Sequence, residues 1–177
     1  KIFRIASQTK ALISVGIMML QEEGKLLLSD SLSTHIPEFK NSKVAEKKSR
    51  KRYRIVKAKR PIRIRDLMTH TAGIGYGFGP ASNLWKKADL QGWYFAHKDE
   101  PILESIRKMA KLPMEAHPGE AYVYGYNTDI LGAVIEVVSG QPLDVFLKER
   151  ILDPLGMVDT HFYLTKQKTS RLSVVYN

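Results

Sequence analysis

A serine three residues ahead of a lysine, Ser7-Gln8-Thr9-Lys10, is a spacing that can support covalent chemistry near the start of this chain. On a helix the two side chains share a face. A lysine amine held beside a hydroxyl can take its proton and turn it into a nucleophile. At the mouth of a helix, the first backbone N–H groups and the positive end of the helix dipole also favour a developing oxyanion. The spacing alone is weak evidence, because twelve Ser and eighteen Lys in 177 residues yield about one such pair by chance. A second pair, Ser105-Ile106-Arg107-Lys108, lies inside an amphipathic pattern. Ser105 therefore reads as a solvent-facing helical serine. Ser7 precedes an apolar stretch and reads either as a helix N-cap or as a nucleophile.

Other chemistries find less support. The five histidines (His35, His70, His97, His117, His161) form no close helical pair and have no carboxylates at metal-ligand spacing, so each reads as structural and no metal is expected. Gly73, Gly75, Gly77 and Gly79 punctuate a loop, but Pro80 stands where a dinucleotide fingerprint needs glycine, and no Gly-Lys-Ser/Thr follows. No cofactor is expected. The absence of cysteine removes thiol catalysis, thiolate metal sites and disulfides, and leaves both cytoplasmic and exported locations open.

Several elements must position the Ser/Lys pair. Apolar residues from Ser7 to Glu23 predict a helix that is apolar on most sides, hence buried and central, stopped by Gly24. Leu26 to Leu28 and Ile36-Pro37-Glu38-Phe39 read as short packed segments. Further helices are predicted at Asp66 to His70, Pro101 to Lys111, Asn127 to Val138 and Leu143 to Ile151. His117-Pro118-Gly119-Glu120 reads as a turn. His161 to Leu164 reads as a strand. Residues 80 to 100, with Trp85, Trp93, Tyr94 and Phe95, show no clean periodicity.

With 44% hydrophobic and 26% charged residues, the composition is that of a globular domain. No repeat or Gly/Ser linker divides it, so residues 1–177 read as one domain. No apolar run reaches the ~18 residues of a spanning helix. The formal charge of +10 is very uneven: residues 41 to 65 carry twelve Lys and Arg against the single acid Glu46, and the remainder is near neutral. Such an excursion reads as a basic loop or hairpin insertion with a solvated surface. Tyr53 is its one aromatic, which argues against a base-stacking platform and against nucleic acid as a partner.

An ordered string of motifs carries a resemblance over most of the chain: Phe3-Arg4-Ile5-Ala6-Ser7-Gln8-Thr9-Lys10, Gly24-Lys25-Leu26, Ile36-Pro37-Glu38-Phe39, Ile64 to Gly73, Pro118-Gly119-Glu120 and Leu155-Gly156-Met157. It resembles the beta-lactamase-related serine hydrolases, which comprise class C beta-lactamases, D-alanyl-D-alanine peptidases and family VIII carboxylesterases. The resemblance implies an α+β, beta-lactamase/transpeptidase-like fold, of which this chain holds mainly the helical part and little of the central antiparallel sheet. It implies Ser7 as the acylated nucleophile, Lys10 as its activating partner and Tyr124, in Tyr124-Gly125-Tyr126, as the phenol that shuttles a proton to and from the leaving group.

Two departures qualify the resemblance. Beta-lactamases have Asn at the third place of the tyrosine motif, whereas here Tyr126 stands there with Asn127 beside it, which favours esterase or peptidase readings. The family's strands before the nucleophile helix and its later Lys-Thr-Gly-type motif have no counterpart, and Lys168-Thr169 lacks the glycine. The domain is thus expected to be incomplete at both ends, its strands and second oxyanion donor supplied by another part of the same protein. The expected function is a serine hydrolase acting on a small-molecule ester, beta-lactam or peptide through an acyl-enzyme. The alternative is a non-catalytic relative using the fold as a binding module with a basic contact surface.

Overall fold

The apolar run behind Ser7 folds as a short 3-10 turn (Ala6–Gln8) leading into helix α1 (Thr9–Glu22), in a computed structural model that describes residues 1–49, 52–92 and 98–175. Gly24, with φ of 69°, ends the helix, and the Lys25 N–H caps it on the Leu20 carbonyl. Five further helices follow: α2 (Leu32–His35), α3 (Ile64–Met68), α4 (Ser82–Lys87), α5 (Ile102–Met109) and α6 (Asn127–Ser139). Last comes α7 (Leu143–Leu147), which continues as a wider π-helical turn over Lys148–Leu152. Helices dominate, as an α+β fold carrying little of its sheet requires.

The core lies where α1, α6 and α7 meet. Ile13, Ile17 and Leu20 of α1 are buried with Ile130, Val134 and Ile135 of α6 and with Phe146 and Leu147 of α7. Each such side chain contributes about 1.5–3 kcal/mol through burial. The sequence predicts α1 to be apolar on most sides and buried, and the structure departs from this on one side. One flank, carrying Ala11, Val15 and Met18, is exposed, with Val15 at 47%.

The basic segment forms an antiparallel hairpin, β1 (Lys43–Lys47) with β2 (Tyr53–Lys57), in register from Lys43 opposite Lys57 to Lys47 opposite Tyr53. Val44 and Ala45 anchor it to the body: both are buried, and the Ala45 N–H donates to the Met114 carbonyl. Lys47, Lys48 and Arg52 are exposed, while Arg54 pairs with Glu46. Arg50 and Lys51 lie outside the described residues, as do Trp93, Tyr94, Phe95 and His97. The run ends on a buried carboxylate: Asp66 accepts from both Arg60 guanidinium nitrogens at 2.6 and 3.0 Å and, at the third position of α3, from the Arg63 backbone N–H at 2.8 Å. That reach back to the N-cap starts α3 at Ile64, two residues ahead of expectation.

Two sequence expectations fail for physical reasons. Ser105 is not solvent-facing but 1% exposed, because Glu100, ahead of Pro101, folds back to accept its hydroxyl at 2.7 Å. His161 to Leu164 is not a strand: it runs as an irregular segment into the 3-10 turn Lys166–Arg171, and Phe162 and Tyr163 help line a cavity. The residues that pair near there are Ile2 and Leu172, through one isolated parallel bridge.

Candidate active site

Ser7 sits in the 3-10 turn at the head of α1, and the preceding Ala6 has a φ of 43°. This left-handed conformation costs a residue with a Cβ about 1–2 kcal/mol, and it turns the Ser7 side chain outward, where it is exposed. One helical turn on, the half-buried Lys10 donates from Nζ to Ser7 Oγ at 3.1 Å. The third member comes from far along the chain: the Tyr124 hydroxyl lies 3.0 Å from Ser7 Oγ across 117 residues, and Lys10 Nζ stands 5.0 Å from the Tyr124 ring centroid. The structure thus brings Ser7, Lys10 and Tyr124 into mutual contact.

Close backbone approach positions Tyr124. Its neighbour Gly125 lies against Gly75, so near that a Cβ on Gly125 would stand 2.4 Å from the Gly75 carbonyl carbon and 2.5 Å from the Ile74 oxygen. On the other side of Gly75 lies the Glu115 carboxylate. Burial raises the Glu115 carboxyl above its ordinary range, opposed by a hydrogen bond from the Gly79 backbone. The glycine-punctuated loop is therefore filled by protein, with Glu115 against Gly75 and Gly79 and Trp85 against Gly77. α6 starts directly after the tyrosine motif and packs on α1, which locks the two ends of the triad together.

The electrostatics distinguish neighbours of one type. The Lys10 ammonium, and after it the Ser7 hydroxyl, hold the exposed Tyr124 phenol below its usual range. Burial, and then the adjacent Tyr124, push Tyr76 up to about 12. Tyr126 is 1% exposed, stacks on Trp85 with ring planes 4° apart, and donates to backbone carbonyl oxygens at Leu90 and Gly92. Its phenol is raised by burial. Asn127 is fully buried, and its side-chain amide donates to the Ile74 and Val123 carbonyls and lies 3.0 Å from His70 Nδ1. The residue at the third place of the motif and the asparagine beside it are thus both committed to the interior.

Three residues of the neighbourhood escape sequence reasoning. His70, read as structural, packs its ring 4.8 Å from that of Tyr124, and burial, then Lys10, lowers its imidazole. Tyr76, hidden in the glycine run, meets the Tyr124 ring edge-on at 5.9 Å. Asp129, in the first turn of α6, shares a cavity of about 540 Å³ with Ala6, Thr9 and Lys10, and burial raises its carboxyl to about 6 against the opposing pull of its own backbone N–H and then of Lys10. Only the position of His70 within the Ile64 to Gly73 string offered a signal. Among the described residues no three His, Asp or Glu side chains converge as metal ligands, and no single helix is long and apolar enough to cross a membrane.

Comparison with known proteins shows the family. The family model described as Beta-lactamase matches residues 1–177. The chain is 34% identical over 178 residues to Protein Rv1367c of Mycobacterium tuberculosis, covering 99% of this chain and 42% of that protein. It is 29% identical over 178 residues to Esterase EstB of Burkholderia gladioli, again covering 99% of this chain and 42% of the relative. Among solved structures, EstCE1, described as a hydrolase with promiscuous acyltransferase activity, superposes with a TM-score of 0.78 at 31% identity, over 96% of this chain and 41% of that one. The chain spans about two fifths of the length of these relatives.

Proposed function

The chain belongs to the beta-lactamase family, and on that premise we propose that it carries the nucleophile of a serine hydrolase that cleaves esters or amides through an acyl-enzyme. The observation that carries the reading is the contact of Ser7 Oγ with both the Tyr124 hydroxyl at 3.0 Å and Lys10 Nζ at 3.1 Å. In this reading the Tyr124 phenolate, stabilised by the Lys10 cation, takes the Ser7 proton as Oγ attacks the carbonyl carbon. Tyr124 then passes that proton to the leaving oxygen or nitrogen as its bond to the acyl carbon breaks. Water, deprotonated by the same phenolate, attacks the acyl-enzyme, and Ser7 leaves with the proton returned.

The first sequence expectation cast Lys10 as the base. The depressed Tyr124 phenol, with Lys10 as the largest cause, favours Tyr124 as proton carrier and Lys10 as its cation. The Ser7 backbone N–H, at the head of α1, would be one oxyanion donor. The second, and the strands that would cover the exposed Ala11, Val15 and Met18 flank, we assign to other parts of the same protein. Esters or peptides are favoured over beta-lactams as substrates, since no Asn side chain occupies the third place of the tyrosine motif. The exposed cations of the hairpin take no part in this chemistry.

The test is labelling by a fluorophosphonate probe in the complete protein. Ser7 should be modified and Ser7→Ala should not. Persistent labelling of Ser7→Ala would sink the assignment.

A further inference from the structure

The backbone at His70 adopts a φ of 55°, a left-handed conformation uncommon for any residue with a Cβ. Such a residue persists when its surroundings over-determine it, and here they do. The His70 N–H donates to the Leu67 carbonyl, and the His70 carbonyl accepts from the Val123 N–H at 2.8 Å, one residue before Tyr124. The His70 ring then lies between two tyrosines, 4.8 Å from the Tyr124 centroid and tilted 33°, and 5.8 Å from that of Tyr122.

The ring's protonation is set by a buried neighbour. Asn127 Nδ2 lies 3.0 Å from His70 Nδ1, 3.0 Å from the Ile74 carbonyl oxygen and 3.1 Å from the Val123 carbonyl oxygen. The two carbonyls fix which way the amide faces, because turned over it would set oxygen against oxygen at those distances. His70 Nδ1, facing the amide nitrogen, therefore carries no hydrogen, which leaves the hydrogen of the neutral ring on Nε2. An imidazolium would aim Nδ1–H at the amide hydrogens and add a second cation beside Lys10. The same amide also staples the 70–76 loop, which carries Tyr76, to the 122–126 loop, which carries Tyr124.

We propose that His70 is a positioning residue for Tyr124: pinned by Asn127, its ring is the plate on which the phenol rests, and this keeps the Tyr124 oxygen in contact with Ser7 and Lys10. The proposal rests on the reading of Tyr124 as proton carrier given above. It differs from a packing role in what it moves. Loss of the plate should loosen the phenol from Lys10 and let its ionisation drift back up, while the substrate's own binding surface stays as it was.

The experiment follows the Tyr124 phenol by NMR of ring-labelled tyrosine, with its signal assigned by Tyr124→Phe, and measures hydrolysis of a p-nitrophenyl ester by the same full-chain samples. In His70→Ala the Tyr124 midpoint should move to higher pH, and kcat should fall about tenfold or more with KM held within about twofold. His70→Asn guards against a variant that merely fails to fold, since asparagine tolerates the left-handed backbone and keeps an acceptor but has no ring. It should show the same upward midpoint and the same kcat loss. A folded His70→Asn protein in which the Tyr124 midpoint stays at the parent value overturns the proposal, whatever its activity. If the midpoint moves in both variants while Tyr124→Phe hydrolyses the ester like the parent, the positioning role stands and the proton-carrier reading of Tyr124 falls.

Discussion

Replacing Gly125 by alanine puts one methyl group into the tightest backbone crossing beside the triad. Its φ lies outside the left-handed region, so alanine is conformationally acceptable there, and any effect must come from contact. The added Cβ would stand 2.4 Å from the Gly75 carbonyl carbon, 2.5 Å from its Cα and 2.5 Å from the Ile74 oxygen, against the 3.4 Å at which ordinary van der Waals contact begins. All three obstacles are backbone, so no side chain can swing away. The loop bearing Tyr124 and the loop bearing Gly75 must part by about 1 Å. Overpacking of this kind costs about 1–3 kcal/mol, or about 2–12 °C in Tm at this size. A displacement of about 1 Å in a group that must meet the nucleophile costs about 100-fold in rate. Gly140→Ala is the control: it also strains the fold, through a φ of 71°, but nothing lies within 4 Å of the new Cβ and it is far from the triad in the fold, at the end of α6. Thermal unfolding with ester-hydrolysis kinetics should show both variants losing Tm and Gly125→Ala alone losing kcat. A folded Gly125→Ala protein with kcat within about twofold of the parent refutes the claim that this crossing sets the reach of Tyr124.

Two further outcomes follow from the charges around Lys10. If the working form of Tyr124 is the phenolate, kcat/KM rises with pH toward a phenol midpoint that lies below the ordinary 10, and Lys10→Ala, which removes the largest cause of that lowering, moves the rise to higher pH; an unmoved pH profile contradicts the pairing. Asp129, half-buried with its carboxyl at about 6 against an ordinary 3.8, holds its proton in the folded state over the interval where the unfolded chain has lost it, so stability falls as pH climbs from about 4 to 6, by about 3 kcal/mol at most. Urea unfolding at pH 4 and pH 7 should show Asp129→Asn more stable than the parent at pH 7 and nearly free of that fall.

How much of this was legible in the sequence depends on whether a residue's role is local. Ser7 and Lys10 could be paired because three residues on a helix fix their relation, and α1 and α6 could be placed because their apolar spacing and closing glycines are local signals. Tyr124 was reachable through the order of motifs. His70, Tyr76 and Asp129 were not, since what each does is decided by the path of two loops that meet only in the folded chain. Ser105 was misread for the same reason: its partner, Glu100, lies before Pro101, outside the helix whose pattern was being judged. The strand expected at His161 to Leu164 failed because, among the described residues, no strand runs beside it to pair with it.

The three tyrosines of the site show why residue type and spacing fall short of a role. Tyr122, Tyr124 and Tyr126 alternate along one stretch, and Tyr76 joins them in space, yet the fold gives Tyr124 and Tyr126 opposite acid–base character. Tyr126 turns inward, spends its hydroxyl on backbone carbonyls and becomes harder to ionise. Tyr76 is driven the same way by burial and by its neighbour. Tyr124, two residues from Tyr126, turns outward to a cation and a hydroxyl and becomes easier to ionise. In the proposed mechanism, a proton leaving Ser7 therefore has one phenol suited to take it. Gly125, between the two, lets the chain pass flush against Gly75, with the exposed Tyr124 on one side of it in sequence and the buried Tyr126 on the other.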